Sequence, residues 1–173
     1  MNANEDSPPR MTWNEVTRID VRGGVIVAKD AMVMLSSDEN DPEWPSVTCE
    51  PGEYVLEIYV PVPFNAHRVR IRKSESDPAR GRELGKIDVD HAFVGFIDYE
   101  PFLAAVEQDF DSYEEWTMTE LDDELAINFS GEISFCGEKL LYVKSVDGDG
   151  VYPAFELVEG GQPVGLECIL VGE

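Results

Sequence analysis

The chain has 173 residues and carries 36 Asp and Glu against 13 Lys and Arg, a formal net charge of −23 at neutral pH. That length suits one domain with a real core, and the charge repels phosphate backbones and anionic lipid surfaces, so nucleic-acid and membrane binding are disfavoured. No apolar run approaches the roughly 18 residues that span a bilayer, and the widely spaced Cys49, Cys136 and Cys168 form no C-x-x-C pair, which fits reduced thiols rather than a disulfide framework or a zinc site.

Residues 1–12 are polar, contain two prolines and have almost nothing apolar to bury, so they read as a disordered tail. They lack the hydrophobic segment of a signal peptide, and a cytoplasmic location is expected. Residues 13–173 read as a single β-rich domain. Val16 to Val27 gives a strand, a tight turn at Gly23-Gly24 and a second strand, with Ala31 to Leu35 continuing extended. Ser36 to Pro51, with three prolines and an acidic cluster, reads as a long loop tethered by Trp44 and Val47.

Tyr54 to Val60 alternates as a strand, and Pro61 and Pro63 exclude a central sheet position just after it. His67 to Arg72 alternates again, with Val69 and Ile71 on one face and Arg68, Arg70 and Arg72 on the other. Ser74 to Gly85 reads as a polar connection with a short helical turn near Asp77-Pro78. Ile87 to Ile97 is a second apolar run, one bent strand or two. Helices follow: Pro101 to Phe110 spaces Phe102, Val106 and Phe110 by four, and Ser112 to Glu115 fits a capping box opening a helix that runs to about Glu124. Strands are then expected over Ala126–Phe129, Ile133–Cys136, Leu140–Val146, Tyr152–Val158 and Val164–Val171, the last two joined at Gly160-Gly161.

A pattern occurs twice. Ile19-Asp20-Val21, an apolar run and Asp30 reappear as Ile87-Asp88-Val89, an apolar run and Asp98, four identities in twelve aligned positions. Each copy is followed by a Gly-x-Tyr before an alternating run, at Gly52 and at Gly150. The expected fold is mainly β within an α+β scheme: an antiparallel sandwich or open barrel of two similar halves, 16–73 and 84–173, with a one- or two-helix insertion near 100–124.

Asp147-Gly148-Asp149-Gly150-Val151-Tyr152-Pro153 is the most distinctive string. Counted as an EF-hand loop it has Val151 at position five and Val158 at position twelve, so it reads as a turn and no metal site is expected. Together with Val89-Asp90 and Asp98-Tyr99-Glu100-Pro101, this Gly-Asp-Gly-x-Tyr-Pro turn resembles a group of uncharacterised bacterial β-rich proteins, some placed near polymorphic-toxin immunity proteins. His91-Ala92 after Val-Asp, and Tyr99-Glu100 between Asp and Pro, depart from that group's pattern. The resemblance implies a β-rich fold and an immunity-like role, and it supplies no catalytic residues.

No nucleophile elbow, Walker loop or dinucleotide fingerprint occurs, and neither His67 nor His91 sits in a metal-binding motif, so no catalytic residue and no cofactor are assigned. The charge is uneven: Ile87 to Glu138 holds fifteen Asp and Glu and no Lys or Arg, while seven of the thirteen basic residues fall between Arg68 and Lys86. The leading expectation is therefore a non-enzymatic, immunity-like interaction protein whose acidic helical region binds a basic protein partner, through Tyr113, Glu114, Glu115, Trp116, Asp122 and Asp123. For Tyr113 and Trp116 the competing reading is the buried stripe of an amphipathic helix. The alternative function is a ligand-binding or hydrolytic cleft between the halves, lined by Asp30, Asp98 and His91.

Overall fold

The computed structural model describes residues 13–35, 44–59, 67–145 and 147–170, so the expected tail and the Pro61–Pro63 segment lie outside the described residues. Eleven strands occur among them: β1 (Trp13–Val21), β2 (Val25–Asp30), β3 (Ser46–Thr48), β4 (Gly52–Tyr59), β5 (Arg68–Lys73), β6 (Ala79–Val89), β7 (Phe93–Asp98), β8 (Ser130–Phe135), β9 (Glu138–Lys144), β10 (Gly150–Glu159) and β11 (Gln162–Ile169). They form two antiparallel sheets packed as a sandwich, of order β1-β4-β5-β11-β10-β6 and β3-β2-β7-β9-β8. Between β7 and β8 run the helices α1 (Tyr99–Gln108), α2 (Phe110–Trp116), a π turn (Thr117–Leu121) and α3 (Asp122–Ile127).

Alternation decides which side chains enter the sandwich. Ile19 and Val21, Tyr54 and Leu56, Val69 and Ile71, Ile87 and Val89, and Tyr152 and Ala154 come from the six-stranded sheet. Ile26 and Ala28, Val94 and Phe96, and Leu141 and Val143 face them from the five-stranded sheet. Each fully buried side chain of this kind contributes about 1.5–3 kcal/mol. In β7 every residue is buried, because its opposite face (Phe93, Ile97) packs under the helices with Phe102, Val106, Tyr113, Trp116 and Leu121. That is why its sequence reads as a continuous apolar run instead of alternating.

The pairing of the first half is mirrored in the second. Ile19 faces Tyr54 and Val21 faces Gly52, just as Ile87 faces Tyr152 and Val89 faces Gly150. At the centre of one sheet β2 meets β7 with Ile26 opposite Asp98 and Asp30 opposite Val94; at the centre of the other β5 meets β11 with Ile71 opposite Leu166 and Val69 opposite Cys168. Tyr54 Oη donates to the carbonyl four residues back (Glu50), and Tyr152 Oη does the same to Gly148, both at 2.7 Å. Shifting the first half by 68 residues also maps Gly24 onto Ala92, and both adopt left-handed φ, +77° and +63°.

Several local expectations are corrected. Ala31–Val33 coils into a 3-10 turn, because the Asp30 carboxylate accepts the Met32 amide and caps it. The loop between β2 and β4 contains β3, which pairs Val47 with Ile26. Residues 79–85 are strand, paired to β10 (Arg80 opposite Leu157, Glu83 opposite Phe155), where a polar connection was expected. This edge strand is largely exposed, so no alternation marked it. The second helix is capped by Asp109, which accepts from Ser112 N and Oγ, so Ser112 is not the cap. Helix also replaces the strand expected to begin at Ala126.

Candidate functional site

The helical layer is built on the outer face of the five-stranded sheet. α1 lays Phe102, Ala105 and Val106 onto it, with Pro101 in the first turn. In the following helices Tyr113, Trp116, Leu121 and Leu125 point inward. The step of five from Trp116 to Leu121 would leave Leu121 off the buried stripe of a regular α-helix, where five residues turn by about 140° beyond a full circle. The π turn absorbs one residue and restores the phase. Tyr113 and Trp116 stack at 5.8 Å between ring centroids, and both rings lie against Phe135 of β8, at 5.4 and 5.5 Å. Burial pushes the Tyr113 phenol up to about 12. Tyr142, raised by burial and by its bond to Glu124, donates its hydroxyl to that carboxylate at 2.6 Å.

Of the six residues expected to meet a partner, Tyr113 and Trp116 are therefore core side chains, unavailable at the surface. Glu114, Glu115, Asp122 and Asp123 are exposed. Large apolar side chains exposed in this region are Phe110 (37%), Met118 (76%), Ile127 (80%) and Phe129 (60%). Ile127 and Phe129 fall in the stretch expected as a strand, and periodicity reports which residues repeat with the core and not which are left over.

None of the ten carboxylates between Glu100 and Glu124 forms an ion pair among the described residues. The outer face of the six-stranded sheet is the opposite case. Glu57, buried, receives Arg70 Nε at 2.9 Å and Arg72 Nε at 2.6 Å; Glu167, also buried, receives Arg68 and, at 3.0 Å, Arg80. Burial opposes the charge on Glu57, but hydrogen bonds from Arg72 and Arg70 outweigh it and hold its pKa below the ordinary carboxylate value. Arg68 and Arg70 also lie over the Trp13 ring, at 5.0 and 4.1 Å. The basic strand is thus neutralised within its own sheet.

Asp30, Asp98 and His91 do not converge. Asp30 and His91 meet, Oδ2 to Nδ1 at 3.0 Å. Asp98 lies four residues further along the β2–β7 ladder, about 14 Å at the rise of a strand. Both aspartates are buried and engaged in scaffold bonds. Asp30 accepts the amides of Asp90 and His91 in the β6–β7 turn, at 2.7 and 3.1 Å. Asp98 accepts those of Arg22 and Gly23 in the β1–β2 turn, at 2.7 and 3.1 Å. Each half's aspartate ties down the other half's turn, and a Cβ at Gly23 would lie 2.9 Å from Asp98 Oδ1. The cleft expected between the halves is replaced by this reciprocal clamp, which leaves no pair of free carboxylates to work as acid and base.

Concavities occur elsewhere among the described residues. One, of about 580 Å³, lies by the β3–β4 loop and the β10–β11 hairpin, with Cys49, Glu50, Lys73 and Gln162 in its wall. Lys73 is paired with Glu50 at 2.7 Å and burial pushes the Cys49 thiol up, so it presents neither a free cation nor an activated nucleophile. The second, of about 420 Å³, lies between α2, the π turn and the β8–β9 hairpin. No group of three or more His, Cys, Asp or Glu placed to hold a metal occurs among the described residues, and no helix there is long and apolar enough to cross a membrane. No protein-family model, curated protein or solved structure matches the chain.

Proposed function

We propose that this is a non-enzymatic binding protein whose acidic helical layer engages a basic protein partner. The observation that carries this reading is the asymmetry of ion pairing: among the described residues the helical carboxylates have no counter-charges, while the arginines of the six-stranded sheet are paired at home. Exposed Met118, Ile127 and Phe129 supply apolar contact area among those charges, and an unneutralised field of one sign speeds encounter with an oppositely charged surface. The immunity-like form, in which the partner is a toxin domain, follows from the sequence resemblance, and a cytoplasmic location accords with it.

The mirrored registers favour a duplicated unit, and in that reading the helices and β8 are what the second half adds to the first. A surface that one half carries and the other lacks is a natural place for recognition. The test is charge reversal at Glu114, Asp122 and Asp123 to Lys, with capture of basic proteins, including any encoded by the adjacent gene, measured at rising salt. Capture by the native chain should weaken steeply with salt and be lost in the triple variant while its circular dichroism is unchanged. Salt-insensitive capture, or capture that survives charge reversal, would overturn the reading.

A further inference from the structure

We propose that β8 is a docking edge at which an extended segment of the basic partner adds a sixth strand to the five-stranded sheet; this rests on the binding reading above. The strand orders leave four edges among the described residues, β1 and β6 on one sheet and β3 and β8 on the other. Unpaired amides and carbonyls along an edge recruit further strands unless something blunts them. Three of these edges are blunted. β1 is bulged between Glu15 and Thr17, and Lys139 Nζ donates to its Arg18 carbonyl at 3.1 Å. β6 shifts register twice against β10, and β3 is only three residues long. β8 pairs with β9 in unbroken register from Ser130 to Phe135 and contains no Lys, Arg or Pro.

The phase of that ladder decides which backbone groups are free. Lys144 N–H donates to the Phe129 carbonyl at 2.7 Å, so Phe129 and Lys144 form a hydrogen-bonded pair. Gly131 with Tyr142, Ile133 with Leu140 and Phe135 with Glu138 follow in the same phase. The amides and carbonyls of Ser130, Glu132 and Ser134 therefore point away from β9, and no bond engages them among the described residues. The Glu132 side chain is occupied elsewhere, accepting from Thr17 Oγ1 of β1 at 2.9 Å and pairing with Lys139 at 2.8 Å. Phe129, 60% exposed, and half-buried Ile133 share one side of the strand, where an added strand would give them cross-strand neighbours. Charge selects the occupant. Exposed Glu115 and Glu120 lie across a shallow concavity from Ser134, and no Lys or Arg occurs from Ile87 to Glu138, so the added strand carries Lys or Arg at alternate positions. A second copy of a chain of net charge −23 is repelled from the same place.

The probe is the peptide acetyl-Thr-Lys-Val-Lys-Val-Lys-Thr-amide, titrated into the full chain while backbone amide hydrogen exchange is followed by NMR. In the free chain Gly131, Ile133 and Phe135 should be protected, and Ser130, Glu132 and Ser134 should exchange fast. The peptide at millimolar concentrations should protect Ser130, Glu132 and Ser134. N-methylating one alternate set of its residues should weaken binding about tenfold or more, and methylating the other set should change it by less than about twofold, because only one edge of an added strand faces β8. Ser134→Pro removes an amide that the native ladder does not use, so it should keep the native spectrum elsewhere and lose the peptide-induced protection. No protection of the three amides, equal effects of the two methylation patterns, or protection that appears without peptide as the chain is concentrated would overturn the proposal. If basic proteins are still captured in a salt-sensitive way in that case, strand addition is not the mode and the broader reading stands; if capture fails as well, both fall.

Discussion

The two outer faces of this molecule solve the problem of charge in opposite ways. On the six-stranded sheet two buried carboxylates hold four arginines, with Trp13 beneath two of them. On the helical layer ten carboxylates have no counter-charge among the described residues. A buried carboxylate stripped of its cations is costly, so the first face is committed to holding itself together. Exposed like charges cost little each and remain free to meet something else. The difference separates structure from recognition in a chain whose overall charge alone does not.

The largest effect should come from the paired face. Replacing Glu57 by Ala leaves the half-buried Arg70 and Arg72 unpaired and should lower stability in urea by about 3–5 kcal/mol. A loss under about 1 kcal/mol would mean that this network is ordinary surface pairing and would break the comparison. The same residue carries a pH signature. Its folded pKa lies below the unfolded value, so its stabilisation is complete above the unfolded carboxylate range and fades as pH falls through the folded pKa. Glu57→Gln should therefore flatten the acid limb of the stability curve relative to the native chain.

The reciprocal clamp should come next. Asp98→Ala and Asp30→Ala each remove charge-assisted bonds to two turn amides, and each should cost about 1.5–3 kcal/mol by denaturant unfolding. Similar losses would support a duplicated unit; a large loss at one and none at the other would count against it. Ala92 occupies a left-handed conformation that its counterpart, Gly24, adopts without strain, so Ala92→Gly should raise the melting temperature slightly, by the equivalent of under 1 kcal/mol. Smallest of all, single substitutions of Glu114, Asp122 or Asp123 by Lys should change stability by no more than about 0.5 kcal/mol, in contrast to their proposed effect on partner capture.

How much of this was legible beforehand depended on whether the signal was local. A strand with one buried face, such as β5, announced itself by alternation, and the Gly160-Gly161 hairpin by its turn residues. The edge strand β6 did not, because solvent on its exposed side chains removes the constraint that creates a pattern. Periodicity marked Tyr113 and Trp116 as notable but left open which way they face, and the packing against Phe135 turned them inward. Met118 and Ile127 gained their significance only by being left outside.

By itself the sequence determined a β-rich chain with a helical insertion and an acidic segment free of basic residues, since each of these follows from local pattern or composition, and it set the same Ile-Asp-Val string ahead of two apolar runs. What the aspartates that close those runs do was decided by tertiary structure alone. Asp30 and Asp98 each bind a turn 60 or more residues away in the sequence, and no local property of either one specifies so distant a partner. The division of charge into a paired face and an unpaired one was decided there too, because ion pairing depends on which strands become neighbours, and antiparallel packing of β4, β5, β11, β10 and β6 brought Glu57 and Glu167 to their arginines.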